Sequence, residues 1–249
     1  MPDLNNIDVF FSMQSFQEEE LRGKTAVVID VLRATSTIVT ALKNGAKQII
    51  PVEDMGEASK ISHNIDSDQY LLCGEKDGVT IDGYDLGNSP LEYTKEAVEG
   101  KTIIFNTTNG TKTIKKASVA LHVYIGSFLN LNALAKALKQ HDEELVLLCS
   151  GWKGRLSFED SLFAGALIHK LSKGKLPEDA KDGAKVALGL YEKYGEDLFG
   201  IIKQTDHAQR LKGLVKEEEI EFCCQTSKFN ILPQFKDGII VDINGEKES

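Results

Sequence analysis

The sequence predicts an α/β fold, a three-layer α/β/α arrangement around a mixed, largely parallel sheet. Three observations carry this. Short runs rich in Val, Ile and Leu, at residues 26–29, 102–105 and 145–148, read as strands buried on both faces. Stretches with helical spacing of apolar residues follow them, so strands alternate with helices. Each of the three runs also ends in a small polar loop that opens a helix, at Asp30, Asn106 and Cys149. Ligands of such sheets sit beyond the carboxyl ends of the strands, so the three loops are expected at one edge. The recurrence allows two similar, intimately packed halves within a single domain over residues 1–249, any subdivision falling near residues 120–145.

In chain order, residues 7–11 read as a first strand and residues 16–22 as a short acidic segment. The run at 26–29 leads into a helix from Ala34, where Ile38, Ala41 and Leu42 recur at helical spacing. Gly45 is placed like a helix C-terminal glycine, and residues 48–52 form the next strand. In residues 53–64, Met55, Ala58 and Ile61 recur every three residues, which predicts a helix. Residues 70–73 are a short strand. The Gly-, Asp- and Asn-rich residues 74–92 are a long loop, of a length that is more often functional than idle. Strands are expected at 102–105, 119–125 and 145–148, with helices through Lys116, over 130–140 and over 158–171. Residues 180–194 and 197–214 look helical, and strands are expected at 221–224 and 239–243.

With 249 residues, 41% hydrophobic and 27% charged, the chain has ample material for a core. Its net charge of −9 argues against nucleic acid or an anionic membrane as the main partner. Four cysteines without paired metal-ligand spacing point to a reducing, cytoplasmic setting. No basic segment followed by a long apolar run opens the sequence, so no leader is expected. No apolar stretch approaches the roughly 20 residues that span a bilayer.

The chemistry concentrates after the strand at 26–29. Asp30, Arg33, Thr35, Ser36 and Thr37 place a carboxylate, an arginine and three hydroxyls where a strand meets a helix N-terminus. Unpaired N–H groups and partial positive charge favour anions there. A neighbouring carboxylate can hold a metal ion that bridges to the anion. The pattern reads as an enzyme acting on a phosphorylated acid.

Five segments in order, DVLRATSTI (30–38), GEKDG (74–78), DLGNSPLE (85–92), TTNGT (107–111) and CSGWKGRLSFED (149–160), resemble the 2-phosphosulfolactate phosphatases. That resemblance implies hydrolysis of 2-phospho-3-sulfolactate to 3-sulfolactate and phosphate, Mg²⁺ as cofactor, a link to coenzyme M biosynthesis, and a homodimer. Toward the C-terminus Asp206, His207, Gly213, Cys223 and Pro233 stand where relatives carry a matching segment, whereas KEEEIEFC departs from it. The residues fit the implied chemistry. Arg33 offers a planar fork to an oxyanion. Thr35 and Ser36 join it at the helix start. Thr108, Asn109, Gly110 and Thr111 offer hydroxyl, amide and backbone donors at a second helix start, and Lys153 and Arg155 add cations on a third loop. Asp30, Glu75, Glu159 and Asp160 supply the hard oxygens that Mg²⁺ prefers. Asp30, Arg33, Glu159 and His207 are the catalytic candidates.

Other readings compete. Asp30 and Thr35–Thr37 also suit helix capping, TTNGT a turn with an N-cap, and Ser157–Asp160 a capping box. The runs Glu18–Glu20 and Glu217–Glu219 read as solvated faces. Trp152 is a lid contact or a packing anchor, and His207 belongs to the site, the surface or the core. Cys149 and Arg155 have the Cys-x5-Arg spacing of cysteine-dependent phosphatases, which need no metal. A non-catalytic anion-binding or sensor protein is the remaining class.

Overall fold

The computed structural model describes residues 6–244. The expectation of no leader rests partly on the first five residues, which lie outside that range. The chain runs β1 (Ile7–Phe10), β2 (Thr25–Ile29), α1 (Ala34–Lys43), β3 (Gln48–Val52), α2 (Met55–Ser62), β4 (Tyr70–Lys76), β5 (Val79–Thr80), α3 (Lys95–Val98), β6 (Thr102–Asn106) and α4 (Gly110–Lys116). It continues with β7 (His122–Gly126), α5 (Leu131–Leu138), β8 (Leu145–Cys149), α6 (Phe158–Ser172), α7 (Asp182–Tyr194), α8 (Leu198–Ile202), α9 (Asp206–Leu211), α10 (Glu217–Cys223), β9 (Pro233–Lys236) and β10 (Ile239–Asp242).

The described strands form one mixed, mostly parallel sheet of ten, in the order β1-β8-β2-β7-β9-β10-β3-β6-β4-β5. Strands β1, β8, β2 and β7 are mutually parallel, as are β3, β6 and β4. The antiparallel β9–β10 hairpin joins the two blocks, pairing antiparallel with β7 on one side and β3 on the other. The blocks therefore run in opposite senses. The loops after β2 and β6 nevertheless meet: a Cβ at Gly110 would stand 2.8 Å from Asp30 Oδ2.

Helices cover both faces because the strands are apolar on both. Val27 and Ile29 of β2 join one core cluster with residues of α5, α6 and α7. Ala26 and Val28 enter a second, with residues of α1 and α4. A smaller cluster of Val52, Ala58 and Ile104 lies under α2. Burying each large aliphatic side chain contributes about 1.5–3 kcal/mol, so this three-layer packing fixes the register of the loops above it. Among the described residues no helix is long and apolar enough to cross a membrane.

Several local expectations are corrected. Residues 221–224 belong to α10 and the turn after it, not to a strand, since Ile220 and Cys223 lie three apart and share a buried face while Glu221 is exposed. Strand β9 begins on Pro233, the first strand position, where a missing N–H costs no ladder bond. The strand expected at 119–125 starts only at His122, because Ala117–Val119 form a 3₁₀ turn. The long loop at 74–92 contains the end of β4 and the short β5, which pairs back onto it. Residues 197–214 divide into α8 and α9.

Candidate active site

The first wall of the site is the turn between β2 and α1. Thr35 Oγ1 donates to the Asp30 carbonyl at 2.8 Å and Ser36 Oγ to the Val31 carbonyl at 2.9 Å. Both side chains are fully buried and lie behind the wall rather than on it, so they shape the turn instead of touching a ligand. Asp30 serves both of its readings. Its Oδ1 accepts the Ala34 amide at 3.3 Å, and its side chain lines a cavity of about 110 Å³.

The second wall comes from β4, β6 and the start of α4. Glu75 accepts the Thr108 amide at 2.7 Å on one oxygen, and the Gly78 amide at 2.6 Å and the Thr108 hydroxyl at 3.0 Å on the other. Thr108 and Asn109 face the cavity. Thr111 does not: it is buried, and its hydroxyl donates to the Thr107 carbonyl at 3.2 Å. Gly110 is where this wall meets the first. A Cβ there would stand 2.5 Å from Ala34 Cβ and 2.8 Å from Asp30 Oδ2, so only glycine allows the approach.

The third loop follows β8. Trp152 and Arg155 exchange backbone hydrogen bonds of 3.0 Å across Lys153 and Gly154, both at positive φ, which is the hairpin turn type that matches strand twist. Lys153 lines the cavity, whereas Arg155 lines a separate neighbouring groove. Ser157 caps α6, as expected. Asp160 does not close a reciprocal capping box. Its carboxylate accepts the Val31 amide at 2.8 Å and the Gly151 amide at 3.3 Å, clamping the loops after β2 and β8 together. Cys149 has no exposed surface, and burial, with the charges of Asp160 and Glu159, pushes its thiol well above the usual range. A buried thiol with Arg155 outside its cavity is no phosphatase nucleophile, and the Cys-x5-Arg reading falls.

The fourth wall is the C-terminal helices. His207 on α9 donates through Nδ1 to Glu159 Oε1 at 2.7 Å and stacks on Trp152, with ring centroids 5.6 Å apart. Trp152 is thus the packing plate of a site histidine. Arg210 reaches the Asp77 carbonyl at 2.8 Å and lines the cavity with it. Glu219 on α10 is buried and ion-paired with Arg33, whose other nitrogen donates to the Gly78 carbonyl at 3.2 Å. Glu217 and Glu218 are solvated, but Glu219 is not, which corrects the reading of that run. Arg33 is therefore partly committed, and Lys153 and Arg210 supplement it.

Sequence reasoning also passed over Asp77, Asn88 and Arg210 as individual residues. Asn88 lies within DLGNSPLE; its carbonyl accepts the Thr37 hydroxyl at 3.0 Å. Its side-chain oxygen is buried beside the cavity with no hydrogen-bond partner among the described residues. Six buried side-chain oxygens lack a partner among the described residues, Glu159 Oε2 among them, and Asn88 Oδ1 is the one that belongs to a residue lining this cavity.

The charges are strongly linked. Burial, then the charges of Glu75 and Glu159, raise the Asp30 carboxyl to about 6 against the opposing pull of His207. Burial disfavours a charged His207, but the hydrogen bond and charge of Glu159 and the charge of Asp30 outweigh it and raise its pKa. Glu159 is lowered because His207 overcomes the penalty of burial. Asp160 is raised well above its usual range by burial and by Glu159 and Asp30.

The family model for 2-phosphosulpholactate phosphatase matches residues 10–238. A probable 2-phosphosulfolactate phosphatase of Caldanaerobacter subterraneus subsp. tengcongensis is 44% identical over 94% of this chain and 97% of its own. Those of Clostridium perfringens, 43% identical over 94% and 95%, and Thermotoga petrophila, 44% over 88% and 92%, are similarly close. The chain belongs to the 2-phosphosulpholactate phosphatase family.

Proposed function

We propose that this chain hydrolyses 2-phosphosulfolactate to 3-sulfolactate and phosphate, with Mg²⁺ as its cofactor. The observation that carries the reading is the convergence of Asp30, Arg33, Lys153, His207 and Arg210 on one small cavity. The substrate comes from the names of the relatives, and it is a three-carbon acid with phosphate, carboxylate and sulfonate groups, matched to several cations in a small space.

The donor set fits Mg²⁺, with a ligand choice narrower than the sequence suggested. Asp30 and the unpartnered Asn88 Oδ1 put hard oxygens beside the cavity. Glu75 is there too, but three donors already occupy it. Asp160 is spent on backbone amides, and Glu159 sits behind His207. Asp30 and Asn88 would hold the ion, which prefers oxygen ligands. When bound, Mg²⁺ supplies positive charge against the phosphate oxygens.

Arg33, Lys153 and Arg210 hold and orient the anion, which would otherwise meet the protein's net charge of −9. Water attacks phosphorus as the bond between phosphorus and the substrate's C2 oxygen breaks. One proton of the water stays on the released phosphate and the other returns, through solvent, to the group that protonates the leaving oxygen. His207, whose pKa the Glu159 carboxylate raises, donates from Nε2 to that leaving oxygen. Trp152 stacks on the imidazole and holds its plane.

Phosphate release tests this. Release from 2-phosphosulfolactate should exceed release from an aryl phosphate by at least about 10²-fold, the scale of differential binding by positioned charges. Chelation should stop it and Mg²⁺ restore it. Equal rates would reduce the reading to a broad phosphatase, and sulfolactate binding without turnover of any phosphomonoester would make the chain an anion sensor.

A further inference from the structure

A second polar cluster lies at the other end of the same strands. His122 opens β7, and His141 and Glu143 lie between α5 and β8. Thr25, the first residue of β2, pairs with both His122 and Leu145, so the cluster is at the amino ends of β2, β7 and β8. Asp30 follows the carboxyl end of β2, about 16 Å away at 3.3 Å per strand residue.

One potential ligand atom from each of His122, His141 and Glu143 lies within 4.8 Å of the other two. Among the described residues no other set of three His, Cys, Asp or Glu does so. The two imidazoles stand edge to face with centroids 4.7 Å apart. His141 Nδ1 is 3.1 Å from Glu143 Oε2, close to the roughly 3.3 Å that separates two ligands each about 2.0–2.1 Å from a tetrahedral Zn²⁺. The other nitrogen of His141, Nε2, is 2.9 Å from the Tyr124 hydroxyl. Metal-bound histidines commonly make such an outer hydrogen bond, which fixes tautomer and ring orientation. All three residues are only half-buried, so an ion has access.

We propose that His122, His141 and Glu143 form a site for a borderline divalent cation of the Zn²⁺ type, separate from the active site. Two imidazoles and one carboxylate suit Zn²⁺, Ni²⁺ or Cu²⁺, whereas Mg²⁺ prefers an all-oxygen shell. Three protein ligands leave a fourth position for water. The ion would tie the α5–β8 connection to the start of β7, and so brace the end of the sheet remote from the catalytic loops.

Zn²⁺ binding to the full chain tests this, by competition against a chromophoric chelator with Mg²⁺ in excess and circular dichroism as the fold control. Wild type should bind one Zn²⁺ per chain tightly enough to compete and should melt at a higher temperature with it. His122→Gln and Glu143→Gln should each weaken binding at least about 10-fold, and His122→Gln/His141→Gln should abolish it. If the double variant does not fold, the partly exposed Glu143 carries the test alone. Failure of the wild type to compete overturns the proposal. So does equal binding by wild type and Glu143→Gln, which would put the ion on buried thiols or on the active-site acids.

Discussion

Glu219 closes a buried ion pair onto Arg33 across 186 residues of sequence, joining α10 to the turn between β2 and α1. The side chains retain 6% and 8% of their exposure. Removing one partner of such a pair strands the other charge in a poorly solvated place. Glu219→Gln should therefore lower the unfolding free energy by about 3 kcal/mol, the low end for a broken buried pair, because the amide oxygen still accepts from the guanidinium. Urea denaturation measures it; an unchanged midpoint would show that the pair contributes nothing.

The His207–Glu159 pair predicts a pH dependence whose sign follows from its two shifts. The folded pKa of His207 lies above the ordinary 6.5, so the folded state binds that proton more tightly than the unfolded chain. Its stabilisation is complete below pH 6.5 and disappears as pH rises through the folded value. Glu159 runs the other way: its folded pKa lies below 4.5, so its share is present above 4.5 and is lost as pH falls through the folded value. Asp30 ionises near pH 6 and strengthens the hold on the imidazolium there. The difference in unfolding free energy between metal-free wild type and His207→Gln should therefore shrink only above about pH 7, as pH rises through the folded value of His207. A difference that keeps growing above about pH 7 would contradict the pairing.

Much of this arrangement was legible in the sequence where signals are local. The run at 26–29, its polar turn and the helix after it appear in the structure as expected, because a strand buried on both faces needs β-branched apolar residues and the turn needs small hydroxyls. The loops after β2 and β8 share an edge as strand–helix alternation predicts, but β6 lies in the block that runs the opposite way, and its loop reaches theirs across the hairpin, at Gly110 and Asp30. Burial of Glu219 was not legible, since its partner lies on a distant element and two neighbouring glutamates are solvated. The same holds for Asp160, whose carboxylate is consumed by amides of two other loops. Helix α10 was misread because EIEFC alternates apolar with polar residues over a stretch too short to separate the two periods. The hairpin that joins the two parallel blocks left only a four-residue run starting on proline.

Cys149→Ser separates thiol from metal chemistry. The side chain is sealed in the core between the sheet and α6, with its thiol pushed well above the usual range. The serine variant should keep most turnover per folded molecule, while losing roughly 1–3 kcal/mol of stability for a hydroxyl in an apolar site. Phosphate release from correctly folded variant checks it. A dead but folded variant would restore the thiolate mechanism.

The central claim is that the cavity beside Asp30 is where phosphorus reacts. Asp30→Asn tests it most directly, because asparagine keeps the size and the acceptor for the Ala34 amide while removing the charge. Phosphate release from 2-phosphosulfolactate at saturating Mg²⁺ should fall by about 10²–10³-fold, the scale of losing one preorganised electrostatic group. The melting temperature should hold or rise, since a buried carboxyl with a pKa of about 6 gives way to a neutral amide. Turnover at the wild-type rate in Asp30→Asn would contradict the account.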